Sequence, residues 1–222
     1  MNLENQEIMI KRLIFDVDST LIVGVNFTTA VENTLKELGV YSEDNVKQFF
    51  KGISTYESIY NNYNPYDYKK HMEEYMGISL SDNFLEVFFD KLQYVIPEKN
   101  EKLINTIDSL SKKYELVLLT NYFGISQLSR LNNMGIGKYF KETYGEDLIK
   151  PNKGSYLKAC GNNKPEECVM IGDNLYLDVE CAKKEGLKAI FVNTKNIPTD
   201  DIDDIVVNKV EDITEDIINK AK

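Results

Sequence analysis

The sequence predicts an α/β fold, a doubly wound parallel sheet covered by helices on both faces, with a small helical domain set into it. Three observations predict it. Short, nearly continuous apolar runs recur and each stops at polar residues; helical patterns alternate with them; and one long stretch near the N-terminus reads as helices with no strong strand candidate. Residues 8–15 (IMIKRLIF) form the first run and end in Asp16-Val17-Asp18-Ser19-Thr20. Three more runs have the same form: residues 116–120 (LVLLT) stop at Asn121, 168–171 (CVMI) at Gly172-Asp173-Asn174, and 188–192 (KAIFV) at Asn193. A short strand is expected near residues 142–144, and helices over 101–113, 124–134 and 178–185, the last stopped by Gly186. In the acidic tail, residues 205–207 suit an edge strand and 210–221 an amphipathic closing helix.

Residues 24–96 break the rhythm. Helical patterns at 28–38, 44–51, 55–62, 67–76 and 81–95 follow one another, with Pro97 marking the return to the sheet. A connection of that length is not a loop, so it is read as a separate helical domain, and it accounts for the surplus of a 222-residue chain over one typical domain. The expected division is residues 1–23 and 97–222 for the core and 24–96 for the insertion. The insertion holds 14 of the 24 aromatic residues. Most are expected to pack its own core, with one or two lining a pocket. His71, the single histidine, reads as a surface residue beside Lys69 and Lys70.

Composition narrows the function classes. With 36 Asp+Glu against 26 Lys+Arg the formal charge is −10, which argues against nucleic acid or an anionic membrane as partner. Hydrophobic residues at 42% suffice for a buried core. Cys160, Cys168 and Cys181 have neither disulfide nor zinc spacing and suit a reducing cytoplasm, and Cys168 and Cys181 are expected to pack in the core. No signal-peptide order and no membrane-length apolar run stand out.

In open α/β sheets, ligands bind beyond the carboxyl ends of the strands. Asp16 and Asp18 close the first strand, Thr120 and Asn121 the second, Lys150 follows the short third, and Asp173 and Asp178 follow the fourth. Each alone is weak; their joint occurrence, each just past an apolar run, is not. Asp16, Asp18 and Asp173 gathered in one crevice would repel one another unless a cation neutralised them, and an oxygen-only donor set favours Mg2+. Such an ion with the Lys150 ammonium would turn an acidic pocket into an anion site, completed by the Thr120 hydroxyl and helix N–H groups. An aspartate can attack phosphorus, and a second carboxyl two residues on can protonate the leaving group and then activate water.

The set Asp16-Val17-Asp18-Ser19-Thr20, Thr120-Asn121, Lys150-Pro151 and Gly172-Asp173-Asn174-Leu175-Tyr176-Leu177-Asp178 resembles the four motifs of the haloacid dehalogenase-like (HAD) hydrolase superfamily, in members with an α-helical cap after the first motif. The resemblance spans nearly the whole chain. It implies a Rossmann-like core, Asp16 as nucleophile and Asp18 as general acid/base. It further implies phosphate held by Thr120 and Lys150, and Mg2+ held by Asp16, the Asp18 backbone carbonyl and Asp173. Asp178 would support the metal shell or hold Lys150, with the alternative that it is only a charge favoured at a helix start. Asn121, Asn174 and Thr20 take supporting places. The family's usual Lys-Pro-Asp-Pro reads here Lys150-Pro151-Asn152-Lys153, which leaves Lys153 as a second candidate for the charge role.

An acid/base aspartate, absent from true dehalogenases of this fold, makes phosphoryl transfer the expected chemistry. The leading expectation is a Mg2+-dependent phosphatase of a small phosphorylated metabolite, cytoplasmic, a monomer or weak homo-oligomer. A phosphomutase of a sugar phosphate and a non-catalytic binding module on the same scaffold are the alternatives.

Overall fold

In the computed structural model, which describes residues 9–202 and 204–221, six strands form one sheet in the order β3-β2-β1-β4-β5-β6. The strands are β1 (Arg12–Phe15), β2 (Glu115–Leu119), β3 (Phe140–Tyr144), β4 (Cys168–Gly172), β5 (Lys188–Val192) and β6 (Ile205–Val207). Every adjacent pair is parallel. Ile8, the first residue of the first apolar run, lies outside the described residues. Within that run Arg12 is buried, and this charge inside an apolar strand is tolerated because its guanidinium is bonded to Glu115 Oε2 at 2.7 Å and to the Ala159 carbonyl at 2.8 Å.

Side chains alternate across each strand and so feed two cores. Leu13 and Phe15 of β1 with Leu116 and Leu118 of β2 face α5 (Glu101–Ser111), α6 (Gly124–Asn133) and α9 (Glu215–Lys220). Ile14, Val117 and Leu119 face the opposite side, against α7 (Lys153–Cys160) and α8 (Cys181–Lys184). The three cysteines are free and sit in this second core. The helix over 153–160 has no counterpart among the sequence expectations; Asn152 caps it by accepting from the Gly154 N–H. The chain leaves β1 outward through β2 and β3, then returns to lay β4 on the other side of β1. The switch point between β1 and β4 opens a crevice at their carboxyl ends.

Between β1 and α5 lie four helices, α1 (Thr28–Glu37), α2 (Glu43–Ile59), α3 (Pro65–Met76) and α4 (Phe84–Leu92). They enclose their own cluster, in which Val31, Phe49, Tyr56, Tyr68, Met72 and Phe88 are buried. The helices expected over 44–51 and 55–62 are one helix. The glycine between them, Gly52, lies within the continuous helix, and the Met72 side chain of α3 packs where a Cβ would be, so only glycine fits there. His71 is a correction: it is 1% exposed, its ring against Tyr56, Tyr60 and Tyr75 and its Nε2 at 3.0 Å from the Gly52 carbonyl. Phe123 and Ile149, from loops after β2 and β3, join the helical cluster, and the Tyr63 N–H donates to the Glu146 carbonyl. The helical unit therefore rests on the carboxyl end of the sheet. No helix among the described residues is long and apolar enough to cross a membrane.

Leu118 is fully buried on the interior strand β2. Leu118→Ala should lower the urea-unfolding free energy by about 2–5 kcal/mol, the usual range for a leucine deleted from a packed core. A loss below about 1 kcal/mol would place Leu118 outside the core.

Candidate active site

Every site residue expected from sequence except Thr20 lines one cavity of about 370 Å³ between the sheet and the helical unit. Asp16 follows β1 directly, its N–H bonded to the Ile171 carbonyl of β4, so the carboxylate stands at the switch point. Asp173 follows β4 directly, one residue beyond the position opposite Asp16. The Thr20 hydroxyl lies between them, 3.3 Å from Asp16 Oδ2 and 3.4 Å from Asp173 Oδ1. Ser19 turns the loop with a left-handed φ of 65°, a conformation uncommon outside glycine and concentrated at functional loops.

Lys150 is 4% exposed and places Nζ 2.8 Å from Asp16 Oδ1 and 2.6 Å from Asp178 Oδ1. Its main chain is clamped by Asn121, whose Oδ1 accepts from the Lys150 N–H at 2.8 Å while Nδ2 donates to the Lys150 carbonyl at 3.0 Å. Asp178, 1% exposed, is satisfied on both oxygens, because the Asn174 N–H donates to Oδ2 at 3.0 Å. It reaches the site through a wide π-type turn, Leu175–Glu180, capped by the Asn174 side chain, and not through the single α-helix expected over 178–185. Gly172 is required beneath it, since a Cβ there would overlap the Asp178 carboxylate. Asp178 is thus the anchor of Lys150. Lys153 points elsewhere, 3.2 Å from Glu185, and takes no part in the site.

Burial raises the Asp16 carboxyl to about 7, with Lys150 opposing that rise and Asp178 adding to it. Burial alone would also lower the Lys150 ammonium, but Asp16 and Asp178 outweigh it and hold that lysine above its ordinary value. The lysine is the fixed charge of the pair. Ionisation of Asp16 then depends on how much further positive charge reaches it.

Donors for a metal ion are present. Carboxylate oxygens of Asp16, Asp173 and Asp178 lie within 4.8 Å of one another. Asp178 is committed to Lys150, whereas Asp173 Oδ2 is buried without a well-directed hydrogen bond, although Lys195 Nζ stands 2.6 Å away. A buried anionic oxygen left so, beside a second carboxylate and with no nitrogen or sulfur donor, suits a hard divalent cation.

Asp18 carries two partners that the sequence did not announce. Arg130 Nη1 is 2.7 Å from Oδ1 and Gln127 Nε2 is 2.5 Å from Oδ2. Both come from α6, at i and i+3, and interrupt that helix's apolar stripe; a polar pair there was the one available signal. Arg130 also donates to the Val95 carbonyl at 3.0 and 3.2 Å and lies over the Phe27 ring, so it touches both connections between sheet and helical unit. Gln127 Nε2 donates to Thr120 Oγ1 at 3.2 Å, which leaves the threonine's own proton free for another acceptor. Glu57 and Tyr63 complete the far wall.

A model of the family described as haloacid dehalogenase-like hydrolase matches residues 10–186. A glyceraldehyde 3-phosphate phosphatase of Methanothermobacter thermautotrophicus is 27% identical, the alignment covering 84% of this chain and 87% of that protein. The pyrimidine 5'-nucleotidase PynA of Streptococcus pneumoniae is 24% identical over 84% of this chain and 85% of its own. The HAD-hydrolase YfnB of Bacillus subtilis, solved with magnesium bound, shares the fold with a TM-score of 0.67 at 19% identity, covering 95% of this chain and 99% of that one.

Gly172→Ala should push Asp178 away from Lys150 and destabilise the protein by about 1–3 kcal/mol in urea unfolding, as overpacking in a dense core does. A change within about 0.5 kcal/mol, the range of neutral surface substitutions, would show that the glycine is not demanded by Asp178.

Proposed function

The chain belongs to the haloacid dehalogenase-like hydrolase family, and from that premise we propose that it is a Mg2+-dependent phosphatase that hydrolyses a small phosphomonoester through a phospho-Asp16 intermediate. The observation that carries the proposal is the meeting of the Asp16 carboxylate, the buried Lys150 ammonium and the buried Asp173 carboxylate at one switch point beneath the helical unit. Mg2+ would be held by Asp16, Asp173 and the Asp18 backbone carbonyl, and when bound it supplies charge that draws the phosphoryl oxygens in and keeps Asp16 ionised.

In the first step an Asp16 carboxylate oxygen attacks phosphorus and the ester P–O bond breaks. Lys150 and the Thr120 hydroxyl hold the phosphoryl oxygens, and Asp18 gives its proton to the departing alkoxide. In the second step Asp18 takes a proton from water, which attacks the same phosphorus and returns Asp16 as a carboxylate. Arg130 and Gln127 fix the direction of the Asp18 carboxyl through both steps. Residues 24–96 act as the cap that excludes water and selects the alcohol. A mutase would need a second anion site, and the charged group that the helical unit gives the cavity is an acid, Glu57. Three buried thiols left unpaired fit a cytoplasmic setting.

Turnover of a generic aryl phosphate with Mg2+ tests the proposal. Asp16→Asn should abolish it, Asp18→Asn should lower it by roughly 10²–10⁴-fold, the range for a positioned acid/base, and chelation should stop it reversibly. Undiminished turnover in Asp16→Asn would sink the mechanism.

A further inference from the structure

The walls of the cavity divide by source. The sheet side supplies Lys150, Arg130 and Lys195, and each already faces an aspartate: Lys150 faces Asp16 and Asp178, Arg130 faces Asp18, and Lys195 faces Asp173. The helical unit supplies Phe27, Ile53, Tyr63, Phe88, Leu92 and one charged group, Glu57. The part of a substrate that extends away from the phosphate therefore meets an apolar and aromatic wall bearing a single carboxylate.

That carboxylate is held in place. Glu57 Oε1 accepts from the Tyr63 hydroxyl at 2.8 Å and Oε2 from Asn121 Nδ2 at 3.0 Å, so the group is fixed from both the helical unit and the loop after β2. A carboxylate offers about four acceptor positions, and two bonds leave it able to receive more donors. Burial, and after it the charge of Glu57, raises the Tyr63 hydroxyl far above its ordinary value, so Tyr63 remains a donor to Glu57. A second anion on the substrate would face Glu57, and the described residues that the helical unit contributes to the cavity include no cation to offset it. A donor would gain a charge-assisted bond at the mouth of the cavity, where Glu57 is exposed to solvent but already oriented by Tyr63 and Asn121.

We infer that Glu57 reads the alcohol portion of the substrate. The site takes a phosphate monoester of a compact apolar or aromatic alcohol that carries an N–H or O–H donor, an ammonium best of all, and no second anionic group. The inference rests on the phosphatase reading and adds the substrate class to it. The cavity of about 370 Å³ is at the small end of ligand sites, which suits an alcohol of roughly one ring or a short chain with its substituents.

The test uses the full chain with Mg2+ and three phenyl phosphates that differ at the para position: aminomethyl, hydroxymethyl and carboxyl. The expected order of kcat/KM is aminomethyl, then hydroxymethyl, then carboxyl. Glu57→Gln keeps the size of the side chain and should reduce the aminomethyl-to-carboxyl ratio by about two- to fivefold, the worth of a charge pair in contact with solvent. Glu57→Lys should invert the preference. Equal losses on all three esters would mean that Glu57 only holds Asn121 and Tyr63, and would overturn the inference. Calorimetric binding of the same esters to Asp16→Asn, with and without Glu57→Gln, separates the two readings. A Glu57-dependent binding preference without Asp16-dependent turnover would uphold Glu57 as the reader and overturn the phosphatase; no preference in either measurement would overturn the inference itself.

Discussion

A buried ammonium held between two buried carboxylates is the constraint on which the rest of the site depends. Removing Lys150 from that trio would leave two buried carboxylates facing each other with no cation between them, which costs far more than a surface ion pair returns. Much of the local backbone serves this arrangement. Gly172 gives up a side chain to let Asp178 close in, the π-type turn brings Asp178 back over β4, and Asn121 fixes the main chain of Lys150 on both sides. The Asn174 N–H occupies the Asp178 oxygen that Lys150 does not use.

This arrangement explains how a chain with a net charge of −10 can receive an anion. Four aspartates at the strand ends face three cations, and each cation is assigned: Lys150 to Asp16 and Asp178, Arg130 to Asp18, Lys195 to Asp173. A divalent ion between Asp16 and Asp173 would tip that local balance from negative to positive. The remaining acids lie largely on solvated surfaces, where water and salt screen them over about 8–10 Å, so the global charge says little about the pocket.

The sheet and the principal site residues were legible in sequence for one reason. Strands covered on both faces must be apolar throughout, so the polar residue that ends each run marks the rim where ligands bind, and Asp16, Thr120 and Asp173 stand at such ends. What escaped depends on contacts between distant segments. Arg130 and Gln127 meet Asp18 across more than a hundred residues, Lys195 arrives from the loop after β5, and Glu57 reaches Asn121 from the far side of the cavity. His71 carried no local sign of burial, because its cover is a set of tyrosines brought together by the packing of α2 and α3. The need for glycine at position 52 inside α2 likewise comes from Met72 of a different helix.

The central claim is that Asp16 becomes covalently phosphorylated during turnover. Acid quenching of the enzyme with a slow phosphomonoester, followed by proteolysis and mass spectrometry, tests it directly. The account predicts one added phosphoryl group on the peptide containing Asp16, localised to that side chain and absent without substrate. Substrate consumed with no such adduct, or an adduct on Asp18 or Asp173 instead, would contradict it.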